Sequence, residues 1–274
     1  MRIALLQMTA GIDPAANARI LTGAVADAAA GGAQMLFTPE MSGCLDRDRD
    51  RSGAVLATEE ADSVLEAVRL AARAQGIWVH LGSLALLDPA GGRRRNRGFL
   101  IDSDGAVRAR YDKIHLFDVD LPTGESWRES AVYEGGTQAV VARTPWGPLG
   151  LSICYDLRFP ALYQALSDAG ADFLSVPAAF TVPTGEAHWH ILLRARAIEC
   201  AAFVVATGQC GTHEDGRRTY GHSLVIDPWG TILLDAGEQT GLFFADLPLE
   251  RIADVRSRIP VIAHRKPIKD IVST

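Results

Sequence analysis

Three residues of this chain stand where apolar runs end, and they carry the groups that acyl transfer needs. Glu40 closes the run Met35-Leu36-Phe37-Thr38-Pro39, Lys113 follows Tyr111-Asp112, and Cys154 ends Leu149-Gly150-Leu151-Ser152-Ile153. A thiol attacks only as thiolate, and with a reference pKa of about 8.5 it needs a base or a cation beside it at neutral pH. A carboxylate at Glu40 can take the thiol proton and later activate water, while an ammonium at Lys113 can stabilise the oxyanion of a tetrahedral intermediate. Taken singly, each has a plainer reading: a solvated turn residue, a surface lysine and a core thiol. The chemistry requires a fold that gathers three distant strand exits.

The ordered set resembles the carbon–nitrogen hydrolase (nitrilase) superfamily. The resemblance rests on Pro39-Glu40, on Tyr111-Asp112-Lys113-Ile114-His115-Leu116-Phe117, and on Cys154-Tyr155-Asp156-Leu157-Arg158-Phe159. It continues through Thr184-Gly185-Glu186-Ala187-His188-Trp189, Arg194-Ala195-Arg196-Ala197-Ile198-Glu199 and Tyr220-Gly221-His222-Ser223, and so covers nearly the whole chain. It implies a Glu40–Lys113–Cys154 triad that cleaves non-peptide C–N bonds through a thioester, with the backbone N–H of Tyr155 as a second oxyanion donor. It also implies that Glu129, in the long segment after Phe117, is the family's second glutamate and keeps Lys113 charged and oriented. Glu125 and Glu134 are its competitors for that part. Asp156 and Arg158 are expected to pair and brace the turn at Cys154. The implied fold is α/β, a four-layer α-β-β-α sandwich dimerising through a helical layer.

The elements that must position these groups can be traced along the chain. Strands are expected at 2–8, 34–38, 77–87, 96–101 and 107–111, then as a hairpin at 139–143 and 149–153, and further on at 172–177, 202–209, 223–226 and 231–235. Four helices are expected, at 15–30, 59–75, 160–169 and 188–200, the first two closed by Gly31-Gly32 and Gly76. Segment 44–53, crowded with Asp and Arg, reads as a solvated loop, and 117–136 as a long functional loop. Residues 256–266 look too irregular for a helix and form part of a C-terminal arm from about 250 to 274, the whole being one domain.

With 274 residues, 48% of them hydrophobic and 22% charged, the chain can bury a sizeable core. A formal net charge of −6 argues against nucleic acid or an anionic membrane as partner. No apolar run reaches the length of a membrane span, and the first residues lack the layout of a signal peptide. Four irregularly spaced cysteines suggest neither a disulfide framework nor zinc, so a cytoplasmic setting is expected. His188 and His190 diverge on a helix and find no obvious third ligand, which leaves no metal or cofactor expected. The run Arg93-Arg94-Arg95 reads as a solvated turn.

Within the superfamily the stretches 115–120 and 180–189 resemble the branch of deaminated glutathione amidases and omega-amidases. The expected reaction is hydrolysis of a small carboxylate-bearing amide, with ammonia as leaving group; deaminated glutathione or an omega-amide of an alpha-keto acid is the expected substrate. A nitrilase or an N-carbamoyl amino-acid hydrolase is the alternative, and a non-catalytic scaffold the remote one. A buried carboxylate needs an arginine fork or clustered N–H and hydroxyl donors. Arg128, Thr181, Thr184 and Arg194 are the candidates for holding it, with His188 lining or bracing the pocket and Arg158 and Arg196 as ion-pair partners.

Overall fold

The computed structural model describes residues 1–120, 124 and 126–268. Glu125 and the last part of the expected C-terminal arm lie outside them. The first half of the chain runs β1 (Arg2–Gln7), α1 (Pro14–Ala30), β2 (Met35–Phe37), α2 (Arg49–Val55), α3 (Ser63–Gln75), β3 (Trp78–Leu86), β4 (Arg95–Ile101) and β5 (Val107–Asp112). A short hairpin, β6 (Asp118–Asp120) and β7 (Ser126–Arg128), follows. The second half runs β8 (Val140–Thr144), β9 (Gly147–Leu151), α4 (Pro160–Asp168), β10 (Phe173–Ser175), α5 (Val182–Thr184) and α6 (His190–Cys200). After it come β11 (Phe203–Ala206), β12 (Cys210–Thr212), β13 (Arg218–Tyr220), β14 (Leu224–Ile226), β15 (Ile232–Asp235), β16 (Gly241–Asp246) and α7 (Glu250–Arg258).

Two six-stranded sheets form, β16-β1-β2-β3-β4-β5 and β15-β14-β11-β10-β9-β8. Strand β1 shows why they stack. Ile3 and Leu5 join the core between the sheets, whereas Ala4 and Leu6 join the core beneath Leu21, Val25, Val64 and Val68 of α1 and α3. A strand covered on both faces reads as a continuous apolar run rather than an alternating one. On the far side, Leu162 and Leu166 of α4 and Leu193 and Ala197 of α6 close the second sheet. The result is the expected four layers, α-β-β-α.

Helix ends follow local chemistry. Asp13 and Asp62 cap α1 and α3 by accepting from Ala15 N and Leu65 N, and Gly76 ends α3 at φ 64°. Segment 44–53 differs from its expectation. Asp48 accepts from Asp50 N and Arg51 N and starts α2, so the charged stretch is partly helical, and Cys44 and Leu45 are buried. The segment 117–136 is likewise structured where it is described, by the β6–β7 hairpin and a 3-10 turn at Glu129–Ala131. Arg256, Ser257 and Arg258, expected to be irregular, complete α7. Strands β12, β13 and β16 had no expectation, being short or glycine-led.

The strand exits converge. Pairing places β2 parallel to β1 and β3, and β9 parallel to β10. Glu40 lies three residues beyond β2, Lys113 directly follows β5 and Cys154 lies three beyond β9. Gly82 makes the first of these turns possible, because a Cβ there would come within 2.1 Å of the Thr38 carbonyl oxygen and 2.5 Å of that of Pro39.

Candidate active site

Lys113 is the centre of the cluster. Its Nζ donates to Glu40 Oε1 at 2.9 Å and to both oxygens of Glu129 at 3.1 and 2.9 Å, with only 2% of its side chain exposed. Asn96, on β4, bridges the two carboxylates from its Nδ2, at 2.9 Å to Glu40 Oε1 and 3.2 Å to Glu129 Oε1. Backbone donors complete the set: Ala179 N to Glu40 Oε2 at 2.9 Å and Phe117 N to Glu129 Oε2 at 2.6 Å. Glu129 therefore reaches Lys113 from the segment after Phe117, while Glu134 turns to Arg93 at 3.2 Å.

Cys154 sits at φ 48°, in the left-handed region that costs a non-glycine residue on the order of 1–3 kcal/mol and recurs at functional sites. Asp156 holds that turn. It accepts from Ile153 N at 2.9 Å, the Tyr111 hydroxyl at 2.6 Å and His115 N at 3.0 Å, and its Oδ1 lies 2.7 Å from His115 Nδ1. The expected Asp156–Arg158 pair does not form. Arg158 instead meets His188 Nδ1 at 3.3 Å and lies over the rings of Tyr155 and Phe180. Tyr155 is the second residue of a 3-10 turn beginning at Cys154, a position whose N–H has no acceptor within its own turn.

The charges in the cluster are mutually set. Burial pushes the Cys154 thiol well above its ordinary range and the nearby Glu40 carboxylate pushes the same way, with Lys113 only partly offsetting them. Burial would also raise Glu40, but the Lys113 charge and the hydrogen bonds from Lys113, Cys154 and Asn96 outweigh it and hold the carboxyl below its usual value. At Lys113 burial opposes the charge, yet Glu129 and Glu40 overcome it and raise the ammonium well above its ordinary pKa. The resting pair is thus a protonated thiol beside an ionised carboxylate. That pairing suits general-base activation of sulfur rather than a standing thiolate.

Cys154, Lys113, Glu40 and Glu129 line one cavity of about 360 Å³, which extends past Phe117 and Trp127 to Arg47, Arg94 and Arg217. Thr181 and Thr184 also line it, their hydroxyls 2.8 Å apart. Arg128 stands at its rim, but its guanidinium is taken by Asp120 in a two-bond fork at 2.9 Å. Arg194 lies elsewhere, donating to the Gly230 carbonyl at 2.9 Å, and His188 braces Arg158 outside the cavity wall. Sequence reasoning missed Arg47, Arg94 and Arg217. By sequence Arg94 belongs to a solvated turn, and the other two stand in charged stretches that carry no periodic signal.

Away from this cavity, His190 Nε2 and His222 Nδ1 lie 3.0 and 2.9 Å from the two oxygens of Asp235. All three ligating atoms fall within 4.8 Å of one another. The fold thus gives His190 two potential co-ligands that its sequence neighbours did not reveal, with His188 left out.

Two stacked sheets between helical layers, with Glu, Lys and Cys at adjoining strand exits, define a hydrolase of the nitrilase type. The family model for carbon–nitrogen hydrolases matches residues 2–257, and the chain belongs to that family. It is 40% identical over 270 residues to the nitrilase and fragile histidine triad fusion protein NitFhit of Caenorhabditis elegans, covering 96% of this chain and 60% of the relative's length. It is 38% identical over 269 residues to the deaminated glutathione amidase of Homo sapiens, covering 97% of this chain and 82% of that one. Among solved structures, NitFhit superposes with a TM-score of 0.89 at 38% identity, covering 97% of this chain and 65% of that chain. An amidase from Nesterenkonia sp. AN1, solved with acrylamide added to its active-site cysteine, matches with a TM-score of 0.79 at 32% identity over 95% of this chain and 98% of the other.

Proposed function

We propose that this protein is a cysteine-dependent amidase acting on a small carboxylate-bearing amide, with deaminated glutathione as first choice and an omega-amide of an alpha-keto acid as second. The observation that carries the reading is the pinned Glu40 carboxylate beside Cys154, with one oxygen on Ala179 N and the other on Lys113 and Asn96. In the first half-reaction Glu40 takes the thiol proton as Cys154 Sγ attacks the amide carbon. The oxyanion formed is met by Lys113 Nζ and the Tyr155 N–H. Collapse breaks the C–N bond, and Glu40 returns its proton to the departing nitrogen, leaving a thioester. In the second half-reaction Glu40 deprotonates water, which attacks the thioester and releases the acid and the thiol. Glu129 holds the ammonium where the oxyanion develops. The nitrogen leaves as ammonia from a primary omega-amide; from deaminated glutathione, whose amides are secondary, it leaves as the amine of the peptide portion.

Several relatives are named as amidases of deaminated glutathione, which supports an amide rather than a nitrile or carbamoyl substrate. The cavity reaches well beyond the triad, with room for more than a two- or three-carbon amide. The test compares kcat/KM for deaminated glutathione, alpha-ketoglutaramate, an aliphatic nitrile and an N-carbamoyl amino acid. The first two should lead; equal or better turnover of the nitrile or the carbamoyl compound removes the reading.

We further propose a homodimer joined through the helical layer and a cytoplasmic setting, with no cofactor. Support for the dimer comes from Ile191 and Ile198 on α6 and nearby Trp229, whose exposures are 70%, 51% and 51%. Light scattering giving a 29.4 kDa particle at micromolar concentration would remove the dimer. The four cysteines are free and buried, which suits a reducing compartment. Among the described residues no helix is long and apolar enough to cross a membrane.

A further inference from the structure

We propose that Arg217, Trp127 and Arg94 form an anion subsite at the outer end of the cavity, where a carboxylate of the substrate docks; this rests on the amidase reading above and names its specificity element. The starting observation is a pair of orphaned donors. Arg217 Nε and Trp127 Nε1 are both buried and have no hydrogen-bond partner among the described residues. The two side chains touch, the Arg217 guanidinium lying 4.9 Å from the centre of the Trp127 ring, and both line the cavity that holds Cys154. Neither group can accept a hydrogen bond, so whatever satisfies them must bring acceptors. Leaving a buried donor unmade is costly, which marks the place as built for an occupant.

Charge selects the occupant. Asp215, whose side chain is fully buried, serves both Arg217 Nη2 at 3.1 Å and Arg47 Nε at 4.0 Å, while Asp46, the other carboxylate of this wall, is paired with Arg51 at 2.7 Å. Arg94 lines the same wall and makes no ion pair among the described residues; its Nη atoms donate to Ser52 Oγ at 2.9 Å and the Arg49 carbonyl at 2.6 Å. Its cation is fixed in place by neutral acceptors. The local excess is positive, and planar guanidinium and indole N–H donors match a carboxylate.

The geometry connects this subsite to the reacting thiol. Trp127 packs on Phe117 with ring centres 6.2 Å apart, and Phe117 packs edge-on to Tyr155 at 5.1 Å. Tyr155 adjoins Cys154. A substrate whose amide lies at Cys154 can run along Phe117 and place a terminal carboxylate at Arg217. An amide held at Cys154 but too short to span the two rings gains nothing from it, whereas a free carboxylate can occupy it alone.

The experiment measures kcat/KM for deaminated glutathione and for its carboxylate methyl esters, with wild type, Arg217→Gln, Arg217→Lys, Trp127→Phe and Arg94→Gln. Titration calorimetry with glutarate, a bare dicarboxylate, runs in parallel. Arg217→Gln should lower the acid-to-ester ratio by about 30- to 5,000-fold, the range for unpairing a buried charged hydrogen bond, chiefly through KM. Arg217→Lys should recover part of the ratio. Trp127→Phe keeps an aromatic ring and the Arg217 charge but loses the indole N–H, so its drop should be smaller. A purely structural role would lower acid and ester alike and shift the melting temperature, and that result overturns the subsite. Amide turnover with glutarate binding indifferent to Arg217 overturns it too. Arg217-dependent glutarate binding without turnover of any amide would instead keep the subsite and remove the amidase reading.

Discussion

The two ends of the cavity are built on opposite principles. At the inner end every charged group is answered: Lys113 by Glu40 and Glu129, each of those by Asn96 and a backbone N–H. At the outer end the donors Arg217 Nε and Trp127 Nε1 are left unanswered among the described residues. Glu40, Lys113 and Asn96 stand on strands of one six-stranded sheet or just past their ends, and Glu129 joins them from a 3-10 turn pinned to Phe117 N and Lys113. The outer donors stand outside both six-stranded sheets, Trp127 on the short strand β7 and Arg217 just before β13, where an unmet donor can be tolerated until a ligand arrives. A reacting centre gains from being preorganised before substrate binds, whereas a recognition end gains from needs that only the right substrate meets.

The largest test breaks the inner end. Cys154→Ala should lower kcat by at least about 10⁴-fold, the scale of losing a nucleophile, with the melting temperature nearly kept. Native iodoacetamide labelling should find Cys154 modified faster than Cys44 or Cys200, whose thiols burial pushes up to about 11 and which donate to the backbone carbonyls of Ile12 and Tyr163. Preferential labelling of either, with activity retained, would refute the assignment. Next comes Lys113→Met, which removes an oxyanion donor and leaves Glu40 and Glu129 facing each other. A kcat loss of about 100- to 1,000-fold is expected, together with a stability loss of about 3–5 kcal/mol from the broken buried pairs. Intact stability after that change would mean the cluster is less tightly coupled than its distances imply.

A middle-sized effect concerns His80, buried between the sheets with Nε2 3.2 Å from Ser175 Oγ. Burial drives its pKa down to about 3, so the folded state keeps it neutral while the unfolded chain protonates it below about 6.5. Its contribution is therefore whole above pH 6.5 and declines as pH falls from there toward 3. His80→Gln should flatten the slope of melting temperature against pH in that window; an unchanged slope would assign acid sensitivity to other groups. The smallest effect separates the two rim arginines. Arg128 is exposed and committed to Asp120, so Arg128→Ala should change kcat/KM less than about threefold, in contrast to Arg217→Gln. A loss matching that of Arg217→Gln would make Arg128 a member of the anion subsite.

Much of this was legible in the chain itself, and the reason is local. Glu40, Lys113 and Cys154 lie within three residues of strand ends; the apolar runs before Glu40 and Cys154 announce those ends through burial, whereas β5 before Lys113 is an edge strand that alternates apolar residues with exposed arginines. Glycines and aspartates mark the helix limits because their cap geometry is a property of a few consecutive residues. Family membership followed from motifs of the same short range. What only the tertiary structure decided was pairing between distant segments. Asp156 chose Tyr111 and His115 over the nearby Arg158, because the turn at Cys154 points its carboxylate back toward β5. Arg194, attractive by its place in a motif, donates to Gly230, while Arg217, unremarkable in its charged stretch, packs on Trp127 in the cavity wall. A side chain's type is written in the sequence, but the direction it faces and the partner it meets depend on how sheets and loops pack across tens to hundreds of residues.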